Sequence, residues 1–176
     1  MPTNAQQMHI HTLQTQDIDD VLKVQSSAYP THLLEDADFF HNRLALSAAT
    51  CWSARDAQTG AMLGYLIAYP WDGSLPPSLN VPLQRIPVQA THWFLHDCAV
   101  TPAAQGRQIG QRLYQTGIAH ARTLGLHSAS LVALETAVGY WQRLGFEPPA
   151  NPAPELHSKL AGYGVGARYL QRSLHS

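Results

Sequence analysis

The sequence predicts an α/β fold: one mixed sheet flanked by helices, in a single domain spanning residues 1–176. Three observations carry this. The chain has 176 residues, 45% of them hydrophobic, which is enough for one sizeable core. Segments that alternate in twos and segments with helical spacing follow one another along it. Glycine and proline, 12 of each, punctuate them.

Met8 to Leu13 alternates and reads as a first strand. Thr15 is placed to cap a helix from Gln16 to Ser27, with Asp17 and Asp19 in its first turn and Pro30 as its stop. A second helix is predicted from Leu34 to Ser47, offering Phe39, Phe40, Leu44 and Leu46 for burial. Cys51–Ala54 and Ala61–Tyr69 read as a hairpin about the turn Asp56–Gly60. Asp72 to Ala90 is a Pro-rich connector of lid length. His92–Val100 is a strand. Arg107 to Leu124 is the clearest helix, with Ile109, Leu113, Gly117, Ala121 and Leu124 on one side and Gly125 closing it. Ser128–Glu135 reads as a buried strand, and Thr136 caps a short helix to Leu144, closed by Gly145. The tail supplies a last strand around Ala167–Leu170. The order is β-α-α-β-β-β-α-β-α-β.

Charge excludes some classes. Eleven Lys+Arg against 12 Asp+Glu leave a net charge of -1, without the basic face a nucleic-acid binder needs. The longest apolar stretch, Ala61–Tyr69, is far short of the roughly 20 residues of a membrane span. Met1–Gln7 lacks signal-peptide regions, and Cys51 and Cys98 are the only cysteines, so a cytoplasmic location is expected. Ten histidines invite a metal reading, but His9/His11 and His92/His96 find no third ligand at a recognisable spacing, so no metal is expected.

The informative segment runs from His96 to Leu113. A strand ends at Val100, a turn follows, and a helix opens near Arg107. Free N–H groups at a helix start, with the helix dipole behind them, suit a pyrophosphate. Gly106 and Gly110 permit close approach, and Arg107 and Arg112 add charge. The same residues also describe an ordinary strand-turn-helix. His96 is a candidate base or a hydrogen-bonded core histidine, and Asp97 an alternative base or an orienting carboxylate. Cys98 lies two residues from His96, hence on the same face of a regular strand, yet reads as a small buried hydrophobe rather than a nucleophile.

This segment resembles motif A of the GNAT superfamily of N-acetyltransferases, written R/Q-x-x-G-x-G/A after a V-x-P turn. Val100-x-Pro102, Gln105 and Gly110 match, while Gln108 stands where the middle glycine is expected. With helical dihedrals at residue 108, glutamine would cost little there. Leu131–Glu147 resembles motif B through Ala137, Leu144, Gly145 and Phe146, with Leu134 in place of the asparagine and Trp141 in place of the tyrosine.

The resemblance implies a mostly antiparallel twisted sheet whose central strands splay near Val100 and Ala133. It implies acetyl-CoA as cosubstrate. Cys98, Ala99 and Val100 would pair with the pantetheine arm, and Gln105, Gly106, Arg107, Gln108, Ile109, Gly110 and Gln111 would hold the pyrophosphate. Trp141 would wall the thioester pocket or simply pack. His96 would serve as base. Tyr140, beside the usual tyrosine position, is the candidate acid, although a thiolate leaves without one. Leu95–Val100 and Tyr69-Pro70-Trp71 with the long connector also resemble the arylalkylamine N-acetyltransferase branch, His96 matching the second histidine of its pair and Phe94 standing at the first. Tyr29, Tyr69, Trp71 and Phe94 read equally as the lining of an aromatic or apolar pocket and as core. The implied acceptor is a small primary amine. A homodimer is compatible with this. The alternative is a non-catalytic acyl-CoA-binding or sensing module.

Overall fold

The computed structural model describes residues 7–73 and 75–175. The Met1–Gln7 stretch therefore lies, through residue 6, outside the described residues. Six strands form one open sheet in sequence order: β1 (Met8–Thr12), β2 (Trp52–Asp56), β3 (Met62–Trp71), β4 (His92–Val100), β5 (Ser128–Ala133) and β6 (Arg168–Ser173). All neighbours are antiparallel except β4 and β5. The mixed, mostly antiparallel sheet flanked by helices is as expected.

Helices α1 (Ile18–Ala28), α2 (Ala37–Ser47), α3 (Ile109–Thr123), α4 (Val138–Arg143) and α5 (Leu156–Ala161) complete the fold. β3 is buried over most of its length, and its side chains divide between two cores. On one face α3 packs Ile109, Leu113, Ile118 and Ala121 against Leu66, Trp93 and Leu95. On the other, Val21 and Val24 of α1 and Phe39, Phe40 and Leu44 of α2 meet Tyr65, Ile67, Tyr69 and Phe94. Complete burial of one such side chain is worth about 1.5–3 kcal/mol. Gly117 sets how closely α3 approaches β4, since a Cβ there would come within 2.7 Å of Trp93 Cζ2.

Several local expectations are corrected. Thr15 does not cap the first helix: it lies inside a 3-10 turn, Thr15–Asp17, that Gln14 caps, the Asp17 carboxylate accepting from Gln14 N–H at 2.9 Å. Residues 34–36 are not helical. α2 begins at Ala37, which leaves Glu35 in a connecting segment. Leu124 is exposed at the helix end rather than buried with Leu113. A 3-10 turn at Glu135–Ala137 precedes α4, so Thr136 lies inside it and does not cap. α5 was not expected, because a six-residue helix among prolines carries little periodic signal.

Candidate active site

β4 and β5 pair in parallel only from His92↔Ser128 to Leu95↔Leu131, although β4 runs on to Val100 and β5 to Ala133. Beyond that rung the strands part, as the resemblance implied, and a cleft of about 360 Å³ opens between them. Thr101 N–H donates to Leu63 C=O at 2.9 Å. By alternation the polar groups of Ala99 also address β3, while those of Cys98 and Val100 address the cleft.

A bulge then sorts the side chains of β4. Ile67 pairs with Asp97 but Ala68 pairs with Leu95, which leaves His96 as the extra residue. Neighbours that would alternate now share a face. The His96 ring lies 4.6 Å from Phe39 of α2, and Asp97 accepts from Tyr29 Oη at 2.7 Å and from Tyr65 Oη at 2.5 Å. Cys98 packs instead with the α3 core. The expected shared face of His96 and Cys98 is thereby corrected, because the period of two fails at the bulge.

His96 is held at both nitrogens. Nδ1 is 3.0 Å from Tyr69 Oη, and Nε2 is 3.0 Å from each oxygen of Glu35. Sequence reading missed Glu35. It sits in the segment between α1 and α2, where it is clamped at the backbone: its N–H donates to Gln25 Oε1 and its C=O accepts from Gln25 Nε2. Its carboxylate also accepts from Asn80 N–H at 2.7 Å. The Pro-rich connector is thus tied into the site. Tyr163 Oη donates to Pro77 C=O, Lys159 Nζ to Ser78 Oγ and Arg43 Nη1 to Val81 C=O. No composition or spacing in the sequence signals these long-range bonds.

Burial pushes the Asp97 carboxyl up, although the two tyrosine hydroxyls pull it back. Burial, then the Asp97 charge, raises both Tyr29 and Tyr65, so they stay protonated donors. The Cys98 thiol, at the cleft wall, is pushed up to about 12 by burial and by Asp97. Such a thiol is not a nucleophile at neutral pH.

The turn before α3 exposes donors. The first bond of the helix is Arg112 N–H to Gln108 C=O at 3.1 Å. Among the described residues, no backbone acceptor engages the N–H groups of Gly106, Gln108, Ile109, Gly110 or Gln111. Those of Gln105 and Arg107 are taken up by Pro102 and Ala104 within the turn. Gln105 and Gly110 border the cleft, and the Ile109 side chain is core. Arg107 pairs at 3.6 Å with Asp56 on the β2–β3 turn, while its buried Nε has no partner among the described residues. Gln108 has φ 61° and ψ 26°. The condition under which glutamine would cost little is therefore not met: the position calls for positive φ, which is why a glycine suits it.

On the β5 side, Tyr140 and Trp141 both border the cleft, their rings 5.0 Å apart. Trp141 also packs on Tyr114 and Phe146. Burial, then Cys98, raises the Tyr140 phenol. At the far end the cleft meets Tyr29, Leu33, Leu79 and Tyr163. Of the aromatics read as pocket or core, Tyr69 and Phe94 are core, Trp71 does not reach the cleft, and Tyr29 borders it. Among the described residues no cluster of three or more His, Cys, Asp or Glu is placed to hold a metal, and no helix is long and apolar enough to cross a membrane.

Comparison with known proteins bears on the family and the fold. The acetyltransferase (GNAT) family model matches residues 15–146. The uncharacterized N-acetyltransferase YjhQ of Escherichia coli (strain K12) is 28% identical over 156 residues, 84% of this chain and 78% of its own. A GNAT family acetyltransferase from Brucella melitensis, solved in complex with acetyl-CoA, shares 21% identity at a TM-score of 0.60, over 97% of this chain and 90% of its own. The GNAT-like decarboxylase GphF, solved in complex with isobutyryl-CoA, shares 18% at a TM-score of 0.70, over 95% of this chain and 100% of its own. The two solved structures speak for the fold.

Proposed function

The chain belongs to the acetyltransferase (GNAT) family, and from that premise we propose that it is an acetyl-CoA-dependent N-acetyltransferase acting on a small primary amine. The observation that carries the reading is the unpaired stretch of β4 leading into a turn rich in free N–H groups. Residues 1–176 would form one acetyltransferase domain, and its unpaired cysteines suit a reducing, cytoplasmic setting.

The residues present fit coenzyme A. A Cβ on Gly106 would meet nothing within 4 Å, so the turn is open, and the Arg107 Nε in its wall lacks a partner among the described residues. The N–H groups of Gly106 and of Gln108 to Gln111, with Gln105 beside them, would hold the pyrophosphate. Cys98 and Val100 would pair along the pantetheine as an added strand does, with Ala99 and Trp141 lining its path. Acetyl-CoA supplies the activated acetyl group.

The remaining chemistry belongs to the protein. The His96–Glu35 pair removes a proton from the ammonium of the acceptor. The cleft holds the resulting amine beside the acyl carbon, which supplies much of the rate. Val100 N–H, directed into the cleft, is the donor for negative charge developing on the acyl oxygen. Tyr140, which borders the cleft and holds its phenol proton at neutral pH, would return a proton to the thiolate. Tyr29, Leu33, Leu79 and Tyr163 suit an acceptor with an apolar or aromatic substituent, of arylalkylamine type.

The test is thiol release from acetyl-CoA with a panel of aryl and alkyl amines. Turnover with amines supports the reading. Coenzyme A binding without turnover on any amine or peptide would leave a non-catalytic acyl-CoA-binding module.

A further inference from the structure

Within the His96–Glu35 pair, and resting on the acetyltransferase reading, we infer that Glu35 is the group that receives the proton and His96 is a positioning residue that donates to it. The argument is one of hydrogen-bond direction. Tyr69 is fully buried, and burial keeps its phenol protonated. Its hydroxyl hydrogen needs an acceptor, and the partner within reach is His96 Nδ1 at 3.0 Å. Arg43 cannot accept that hydrogen, since a guanidinium only donates. Its guanidinium lies over the face of the Tyr69 ring, 5.0 Å from the centroid, and offers no acceptor there. The hydroxyl hydrogen therefore points to His96.

With Nδ1 accepting, the imidazole carries its hydrogen on Nε2, which faces both Glu35 oxygens at 3.0 Å. The chain runs one way: Tyr69 O–H to Nδ1, then Nε2–H to the carboxylate. The ring has no lone pair left for an ammonium; its side chain and that of Glu35 are both almost wholly covered, at 0% and 3% exposure, so the hydrogen-bond direction is what separates them. Glu35 has roughly four lone-pair sites on two oxygens. His96 Nε2–H and Asn80 N–H occupy only part of them, and Glu35, like His96, borders the cleft.

Of the other groups packed there, Asp97 receives Tyr29 and Tyr65, and Tyr29 also reaches Cys98 C=O at 3.2 Å. Arg43 Nη1 donates to Asn42 Oδ1 and Val81 C=O, while its buried Nε and Nη2 have no hydrogen-bond partner among the described residues; a guanidinium only donates, so it takes no proton from the ammonium. In the step itself, the N–H bond of the ammonium breaks and an O–H bond forms on Glu35. The nitrogen keeps the electron pair with which it attacks the acyl carbon.

Two measurements test this. The first is nitrogen-15 NMR of histidine-labelled protein without ligand, the His96 signal being identified by its loss in His96→Gln. The expected state is the Nε2–H tautomer with Nδ1 accepting; an Nδ1–H tautomer or a doubly protonated ring overturns the proposal. The second is the pH profile of kcat with acetyl-CoA and an accepted amine. Glu35→Gln should lower kcat about 10²–10⁴-fold and leave a rate that climbs with pH as the amine loses its own proton. Its affinity for coenzyme A should stay within about threefold, and Glu35→Asp should recover part of the rate. Tyr69→Phe and His96→Gln should lower kcat by about tenfold yet keep the wild-type plateau. The reverse pattern, with the plateau lost in His96→Gln and kept in Glu35→Gln, overturns the assignment. A wild-type protein silent to every amine sinks the underlying reading instead, and the two failures separate because the tautomer reports without turnover.

Discussion

Replacing Gln108 with glycine should make the protein more stable. Gln108 occupies the left-handed region at φ 61°, where a Cβ costs an L-residue roughly 1–2 kcal/mol. Glycine removes that strain but loses about 0.4–1 kcal/mol more backbone entropy on folding. The balance is a gain of about 0.5–1 kcal/mol, or a rise in Tm of about 1–4 °C for a chain of this size. The reverse change is available two residues earlier. Gly106 has φ 84°, and an added Cβ would meet nothing within 4 Å, so Gly106→Ala should cost a similar amount through backbone strain alone. Thermal and urea unfolding of the two variants, with Gln108→Asn as an intermediate, would measure this. A lowered Tm in Gln108→Gly together with an unchanged Tm in Gly106→Ala would refute the strain argument.

Three further outcomes follow from the site. A Cβ at Gly110 would sit 3.7 Å from Val100 Cγ2, an ordinary contact, so Gly110→Ala should keep coenzyme A binding by calorimetry while Gly110→Glu, which sets a carboxylate among the free N–H groups, should abolish it. With its thiol pushed up to about 12, Cys98 should be about one part in ten thousand thiolate at pH 8, and mass spectrometry should find it unalkylated by iodoacetamide long after an exposed thiol has reacted. Asp97 has a folded pKa raised by burial, so the folded state holds its proton more tightly than the unfolded chain does. That contribution is present below the ordinary carboxylate range and is lost as pH rises through the raised folded value. Urea unfolding across pH should therefore show a fall in stability with rising pH that Asp97→Asn removes, and an identical slope in both proteins would count against it.

Much of the frame could be read from residue order. The bounds of β4 were legible because the apolar groups Trp93–Leu95 and Cys98–Val100, interrupted only by His96 and Asp97, lie between turn residues, and the β2–β3 hairpin because Asp56–Gly60 is turn chemistry. The cradle was legible through glycine placement and the Val100-x-Pro102 turn. What stayed hidden depended on contacts distant in sequence. Glu35 owes its place to Gln25, Asn80 and His96, and Leu34 before it looked like the start of a helix. The bulge at His96 appears only when β3 and β4 are paired, since it is defined by their register. Tyr69 and Phe94 went to the core rather than to an acceptor pocket because β3 and β4 are covered on both faces where they stand.

The parallel seam between β4 and β5 has a mechanical consequence. The sheet's first four strands join its last two through only a short run of rungs, and the amides of Cys98 and Val100 are left facing a fissure. Any extended molecule laid there acts as a splint, lending the halves the bonds their own backbones do not exchange. Occupancy would then register as slower amide exchange on both banks, far from whatever chemistry the cleft performs.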